Sequence, residues 1–103
     1  MIFIQRILVI YNPIAGRGRV LEYWPQVKQA LHESGLKFDV APTDAPLEAA
    51  RLAEQAPFNY EAVIGVGGDG TIHEIVNGLL RASQENETIP LGVIPLGNGD
   101  DFA

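Results

Sequence analysis

The amino-acid sequence predicts an α/β fold, a three-layer α/β/α sandwich built on a parallel sheet. Four short apolar runs rich in Val and Ile alternate with segments of helical period, and three of those runs end in glycine-rich loops. A length of 103 residues allows a single domain, large enough to bury about two thirds of its unfolded surface.

The runs are Ile4–Tyr11, Phe38–Ala41, Ala62–Val66 and Ile89–Ile94. Continuous apolar character, rather than alternation, suits strands covered on both faces of a parallel sheet. The first belongs to the opening MIFIQRILVIYNP, which Gln5 and Arg6 interrupt and Asn12-Pro13 closes. With no basic leader and no small-residue cleavage site it reads as a buried strand rather than a signal peptide.

A first helix is expected from Pro25 to Ser34, because Pro is favoured at a first helical position, Val27, Ala30 and Leu31 share a face, and Gly35 is a natural stop. Arg19–Trp24 would precede it as an irregular turn. A second is expected from Pro46 to Gln55, with Leu47, Ala50 and Glu54 at helical spacing, ending before Pro57. The third starts at Thr71-Ile72-His73-Glu74, a capping-box pattern in which the Thr hydroxyl accepts from the Glu74 N–H and the Glu carboxylate accepts from the Thr71 N–H. Ile75, Val76, Leu79 and Leu80 would form its buried stripe.

With right-handed crossovers and strand order 2-1-3-4, the first and third strands are neighbours at the switch point of the sheet. Their loops, NPIAGRG and GGDGT, then face each other across one cleft, with PLGNGDDFA on the same edge.

Hydrophobic residues at 47% and charged residues at 19% are ordinary for a soluble globular chain, and no stretch has the apolar length a membrane span needs. The net charge of −6 argues against a nucleic-acid partner, which needs clustered Lys and Arg. The absence of cysteine excludes disulfides and thiolate metal sites and makes a cytoplasmic location the default expectation. No pair of histidines or carboxylates has metal-ligand spacing on one helix face, so no structural metal is expected.

Glycine-rich turns can bring successive N–H groups to phosphate oxygens, and the helix beginning near Thr71 adds its positive end. The chain therefore holds an anion site in an acidic protein. Arg17 and Arg19 either add charge to it or are solvated, and the two readings stand level. Asp69 would repel a phosphate unless a cation lies between them, so it implies Mg²⁺ or a proton-accepting role toward an attacking hydroxyl. Its alternative is a cap of the helix, a place Thr71 already fills. His73 and His32 are expected at the surface, and Tyr23 and Trp24 in packing.

Gly65, Gly67 and Gly70 also fit the G-x-G-x-x-G spacing of a dinucleotide fold. That pattern wants an acidic residue about 20 positions on, after the next strand. Glu85 and Glu87 fall there but precede Ile89–Ile94. The Walker pattern and the protein-kinase signatures are absent.

NPIAGRG at Asn12–Gly18, GGDGTIHEIVNGL at Gly67–Leu79 and PLGNGDDFA at Pro95–Ala103 together resemble the diacylglycerol kinase catalytic domain family, which includes bacterial lipid kinases and sphingosine and ceramide kinases. GGDGT alone is shared with NAD kinases; the continuation through EIVNGL narrows the resemblance to lipid kinases. It implies a Rossmann-like nucleotide-binding domain and transfer of the γ-phosphoryl group of ATP to a lipid hydroxyl, with Mg²⁺. It also implies that Gly67, Gly68, Gly70 and Thr71 contact phosphates, that Asp69 serves Mg²⁺ and proton transfer, and that Asn12, Pro13 and Gly16 lie beside the nucleotide. From the third motif, Gly97, Asn98 and Asp101 would join the nucleotide site. Glu74 and Asn77 match family positions as well, the first as the capping partner and the second as a structural residue.

The third motif departs from the family's P-x-G-T-x-N-D-F-A, with Asn98 for Thr and Asp100 for Asn. Asn98 keeps hydrogen-bonding capacity, whereas Asp100 puts a charge near a triphosphate, which calls for a second cation. Family members carry a further, mostly β domain that supplies the lipid pocket. The chain is therefore expected to be a nucleotide-binding half, inactive alone, with peripheral membrane contact belonging to a full-length form. An apolar surface left for that domain would favour a homo-oligomer. Two other functions remain: an NAD kinase-like phosphotransferase, and a nucleotide-binding module without catalysis.

Overall fold

The computed structural model describes residues 6–84 and 88–96. Strands β1 (Arg6–Tyr11), β2 (Lys37–Pro42), β3 (Ala62–Gly67) and β4 (Leu91–Pro95) alternate with helices α1 (Arg19–Glu33), α2 (Glu48–Gln55) and α3 (Asp69–Ser83). The sheet is parallel throughout, in the order β2-β1-β3-β4 that the crossover argument expects. Ile4 and Gln5, read into the first strand, lie outside the described residues.

Strand alternation divides the core into two layers. Leu8, Ile10 and Val63 pack with Ala49, Ala53 and Ile75 of α2 and α3. On the other face Ile7, Val9 and Val66 pack with Val20 and Leu31 of α1. Reversal of direction between the β1-to-β2 and β2-to-β3 crossovers puts α1 alone on one face and α2 with α3 on the other.

Helix α1 is longer than its sequence suggests. Arg19–Trp24 is helical, not an irregular turn, and Pro25 lies inside the helix. Val20, Trp24, Val27 and Leu31 form the inward stripe, while Ala30 is exposed. Proline leaves the Leu21 carbonyl without its intrahelical donor, a cost reduced because Leu21 is exposed to solvent. Trp24 stacks on Tyr11 at 4.1 Å, fixing α1 to the end of β1.

Helix α2 begins at Glu48 rather than Pro46. Its inward face is Ala49, Ala50 and Ala53, not Leu47, which is 69% exposed in a left-handed conformation. In α3 the buried residues are Thr71, Ile75, Gly78 and Ala82. This spacing of four, three and four turns Val76 and Leu80 outward, at 37% and 59% exposure, contrary to the expected stripe. β4 is the last strand of the described sheet, and Val93 is 45% exposed there.

Candidate functional site

All four strands point their carboxyl ends at one edge, and the site is assembled from the loops and helix starts that leave them. After β1, the Asn12 N–H donates to the Val66 carbonyl at 3.3 Å, so the first loop is fastened to β3. The Asn12 side-chain oxygen accepts from the Ile14 N–H at 3.1 Å and its carbonyl from the Ala15 N–H at 3.1 Å, a local turn that also places Pro13. Gly16 sits in a short 3-10 segment, Ala15–Gly18, that ends with Arg17 and Gly18 both left-handed, at φ 58° and 89°. Arg17 is exposed at this rim.

The β2 end contributes to the site although no sequence motif marks it. The Thr43 N–H donates to the Tyr11 carbonyl at 2.9 Å, and the Asp44 N–H donates to Glu48 Oε1 at 3.1 Å. Strand order alone signals it, since β2 is hydrogen-bonded to β1 and must end beside it.

After β3 the chain passes from strand to helix in a single residue. Gly68, extended at φ −93° and ψ −170°, is the N-cap of α3, and no side chain caps the helix. The expected capping box is therefore corrected: α3 starts at Asp69, which makes Thr71 a third-position residue, 7% exposed and pressed into the core. Gly67 explains the fit, because a Cβ there would lie 3.0 Å from both Cβ and Oγ1 of Thr71. The capping reading of Asp69 fails too, and its side chain is exposed. With no side-chain acceptor, the first-turn N–H groups of α3 are left for an anion.

Two cavities flank this helix start. One, of about 260 Å³, is lined by Asn12, Ile14, Thr43, Asp44, Thr71 and Glu74 among others. The other, of about 550 Å³, is lined by Gly67, Gly68, Asp69, Ile72, His73, Val76, Val93 and Pro95. Glu74, expected to cap, faces the first cavity, and the exposed His73 faces the second. Gly70 is exposed on the same turn. The third loop arrives beside this turn through the Leu96 N–H, which donates to the Gly67 carbonyl at 3.0 Å. Gly97, Asn98, Asp100 and Asp101 lie outside the described residues.

The groups with displaced pKa values are elsewhere, at the amino-terminal edge of the sheet. Hydrogen bonding from the Tyr60 hydroxyl, with Arg6 beside it, holds the Asp39 carboxyl below its ordinary value. Among the described residues no group of three or more His, Asp or Glu is placed to hold a metal ion. An exposed carboxylate, Asp69, at an uncapped helix start nonetheless has the chemistry of a Mg²⁺ ligand, since that ion takes one or two carboxylates together with phosphate oxygens. Among the described residues no helix is long and apolar enough to cross a membrane.

Fold and site thus define an open α/β domain with an uncapped, glycine-rich helix start at its switch point. The family model described as the diacylglycerol kinase catalytic domain matches residues 6–103, and the chain belongs to that family. A diacylglycerol kinase of Bacillus subtilis (strain 168) is 38% identical over 100 residues, covering 96% of this chain and 32% of its own length. Sphingoid long-chain bases kinase 1 of Arabidopsis thaliana is 37% identical over 102 residues, covering 94% of this chain and 13% of its own. A crystal structure of a diacylglycerol kinase from Bacillus anthracis str. Sterne superposes with a TM-score of 0.68 at 28% identity, over 95% of this chain and 35% of that one. The chain spans about a third of the bacterial relatives' length and less of the plant one.

Proposed function

We propose that this chain is the nucleotide-binding domain of an ATP-dependent lipid kinase, inactive by itself. The observation that carries the proposal is the uncapped start of α3 at the switch point, where a Cβ on Gly70 would meet nothing within 4 Å and the first-turn N–H groups lack a side-chain acceptor. The smaller cavity, with Asn12, Thr43 and Glu74 on its walls, takes the nucleoside end of ATP, and Pro13 and Gly16 belong to the loop that follows Asn12. The resemblance adds Gly97, Asn98 and Asp101 to the nucleotide site, and they follow in the chain on Leu96, whose N–H donates to the Gly67 carbonyl.

Phosphoryl transfer depends on positioning and charge more than on covalent help from the protein. The acceptor oxygen bonds to the γ-phosphorus as the bond from that phosphorus to the bridging oxygen breaks, and ADP leaves with the electron pair. The hydroxyl proton goes to the Asp69 carboxylate. Mg²⁺, when bound, neutralises charge on the phosphate oxygens, and Asp69 is the residue here that would hold it.

The test is amide NMR of the chain titrated with Mg·ATP and, separately, with NAD. Shifts with Mg·ATP confined to 12–18, 43–44, 67–74 and 97–101 are expected. A response to NAD alone would replace the proposal with an NAD kinase-like one, and silence toward both would remove nucleotide binding from this chain.

A further inference from the structure

The two outer strands of the sheet are built differently. β2 (KFDVAP) carries Lys37 and Asp39, charges of the kind that keep a sheet edge from pairing with another chain. β4 (LGVIP) carries none, and among the described residues no strand covers its outer side. Main-chain groups in a parallel ladder turn alternately to one neighbour and to the other. The Pro90 carbonyl accepts from the Val63 N–H and the Leu96 N–H donates to the Gly67 carbonyl, so Gly92 and Ile94 bond to β3. The N–H and carbonyl of Leu91 and Val93, with the Pro95 carbonyl, therefore point to the open edge. Beside this edge α3 turns Val76 and Leu80 outward, and Val76 lines the same cavity as Val93.

We propose that this strand edge and helix face form a twofold interface with a second copy of this chain, joining two four-stranded sheets into one. β4 lies antiparallel to its copy, with the two Val93 residues opposite each other on the axis. The edge matches itself: the two Val93 residues exchange both bonds, and each Leu91 N–H meets a Pro95 carbonyl, so every outward N–H is paired. Proline has no N–H to leave unpaired there. Spacing matches too. α3 lies over β3 and β4, where a Cβ on Gly65 would touch Ile72, Ile75 and Leu91. Its axis is thus about 5 Å from the twofold, and the two α3 helices come about 10 Å apart, the distance at which helices pack. They run antiparallel, with Val76, the middle residue of Asp69–Ser83, at the crossing and Leu80 of each against Ile72 of the other. Charge allows the approach although each copy carries −6, because Asp69, the carboxylate lining this cavity, lies about 20 Å from its mate, beyond the screening length. A five-residue strand and part of one helix cover less than a standard interface of about 800 Å² a side, so the dimer is expected to dissociate at micromolar concentration. Dimerisation needs no nucleotide, and the interface stands or falls independently of ATP binding.

Sedimentation equilibrium of the chain from low micromolar to millimolar concentration should follow a monomer-dimer equilibrium, from 11.2 kDa toward twice that mass. Val93→Lys and Val93→Glu should each weaken dimerisation about tenfold or more, because like charges meet on the axis, and an equimolar mixture of the two should restore it. Leu80→Glu should weaken it by a similar factor, whereas Leu21→Lys, equally exposed but on α1, should leave it unchanged, with amide spectra showing the fold retained in each. In a mixture of isotope-labelled and unlabelled chains, filtered NOEs should join Val76 and Val93 to the same residues of the other copy. A monomer at millimolar concentration would overturn the interface, as would a mixture that fails to recover or a Leu21→Lys as damaging as Leu80→Glu. Contacts to Val93 from residues 97–103 of the same chain, in place of those between copies, would overturn it as well.

Discussion

Gly78 of α3 faces the Ala50 carbonyl of α2 so closely that a Cβ at position 78 would lie 2.2 Å from that oxygen and 2.9 Å from the Ala53 Cβ. The glycine of the EIVNG stretch is thus a packing device, and the alanine face of α2 is its counterpart. Alanine is the better helix former by about 1 kcal/mol, but here its methyl meets a backbone oxygen that moves only with its helix, and overpacking costs about 1–3 kcal/mol or more. Gly78→Ala should therefore lower stability by about 1–2 kcal/mol, measured as the shift in urea midpoint. An unchanged or raised midpoint would contradict this approach of the helices.

Leu47 offers the reverse case. It holds φ 68° at the start of α2 with 69% of its surface exposed, so its side chain contributes little burial to offset a left-handed backbone. That conformation costs a non-glycine residue about 1–2 kcal/mol, against about 0.5–1 kcal/mol of extra chain entropy lost by glycine. Leu47→Gly should raise stability by up to about 1 kcal/mol, a gain of a few degrees in melting temperature. A lower melting temperature would mean that the leucine makes contacts that matter.

At the opposite edge of the sheet, the Tyr60 hydroxyl and an Arg6 nitrogen donate to the same Asp39 oxygen, at 2.8 and 2.6 Å. The Tyr60 bond, with Arg6 assisting, lowers the Asp39 pKa from 3.8, and the Asp39 carboxylate raises that of Tyr60 from 10.0. A depressed carboxyl stabilises the fold above its unfolded value, and that share is lost as pH falls through the folded value. A raised phenol stabilises below its unfolded value and loses its share as pH climbs through the raised one. The stability difference between the parent chain and Tyr60→Phe should be flat between these limits and shrink at both ends. A difference that is constant into acid would exclude the Asp39 contact as its source.

The order 2-1-3-4 and the meeting of the first two glycine-rich loops are legible because they derive from general rules: apolar runs, right-handed crossovers and strand ends on one edge. The helix starts are not, because each depends on one local conformation. Gly68 absorbs the turn from strand to helix, so α3 begins before the Thr71-Glu74 pattern, and Glu74 faces a cavity instead of a backbone N–H. Leu47 resembles a core residue by spacing, and only its positive φ turns it outward. Val76 and Leu80 satisfy helical periodicity, but burial of Thr71 and Gly78 fixes the helix rotation and leaves them uncovered. Thr43 carries no motif, and only its position after β2 reveals it.

Asp69 yields a prediction whose sign depends on magnesium. It is the first residue of α3, exposed, on the turn that the proposal gives to the phosphates. Without a metal ion its carboxylate repels ATP, so Asp69→Asn should tighten metal-free ATP binding about three- to tenfold, the Coulomb term being moderated by solvent and salt. With Mg²⁺ the carboxylate attracts the ion and the ion the phosphates, so the same substitution should weaken Mg·ATP binding by a similar factor. Calorimetric titrations of the parent chain and Asp69→Asn, each with and without Mg²⁺, separate the possibilities. A crossing of the two effects supports Asp69 as the residue facing the metal. Weakening under both conditions would make it a structural residue of the turn, and no change under either would remove it from the site.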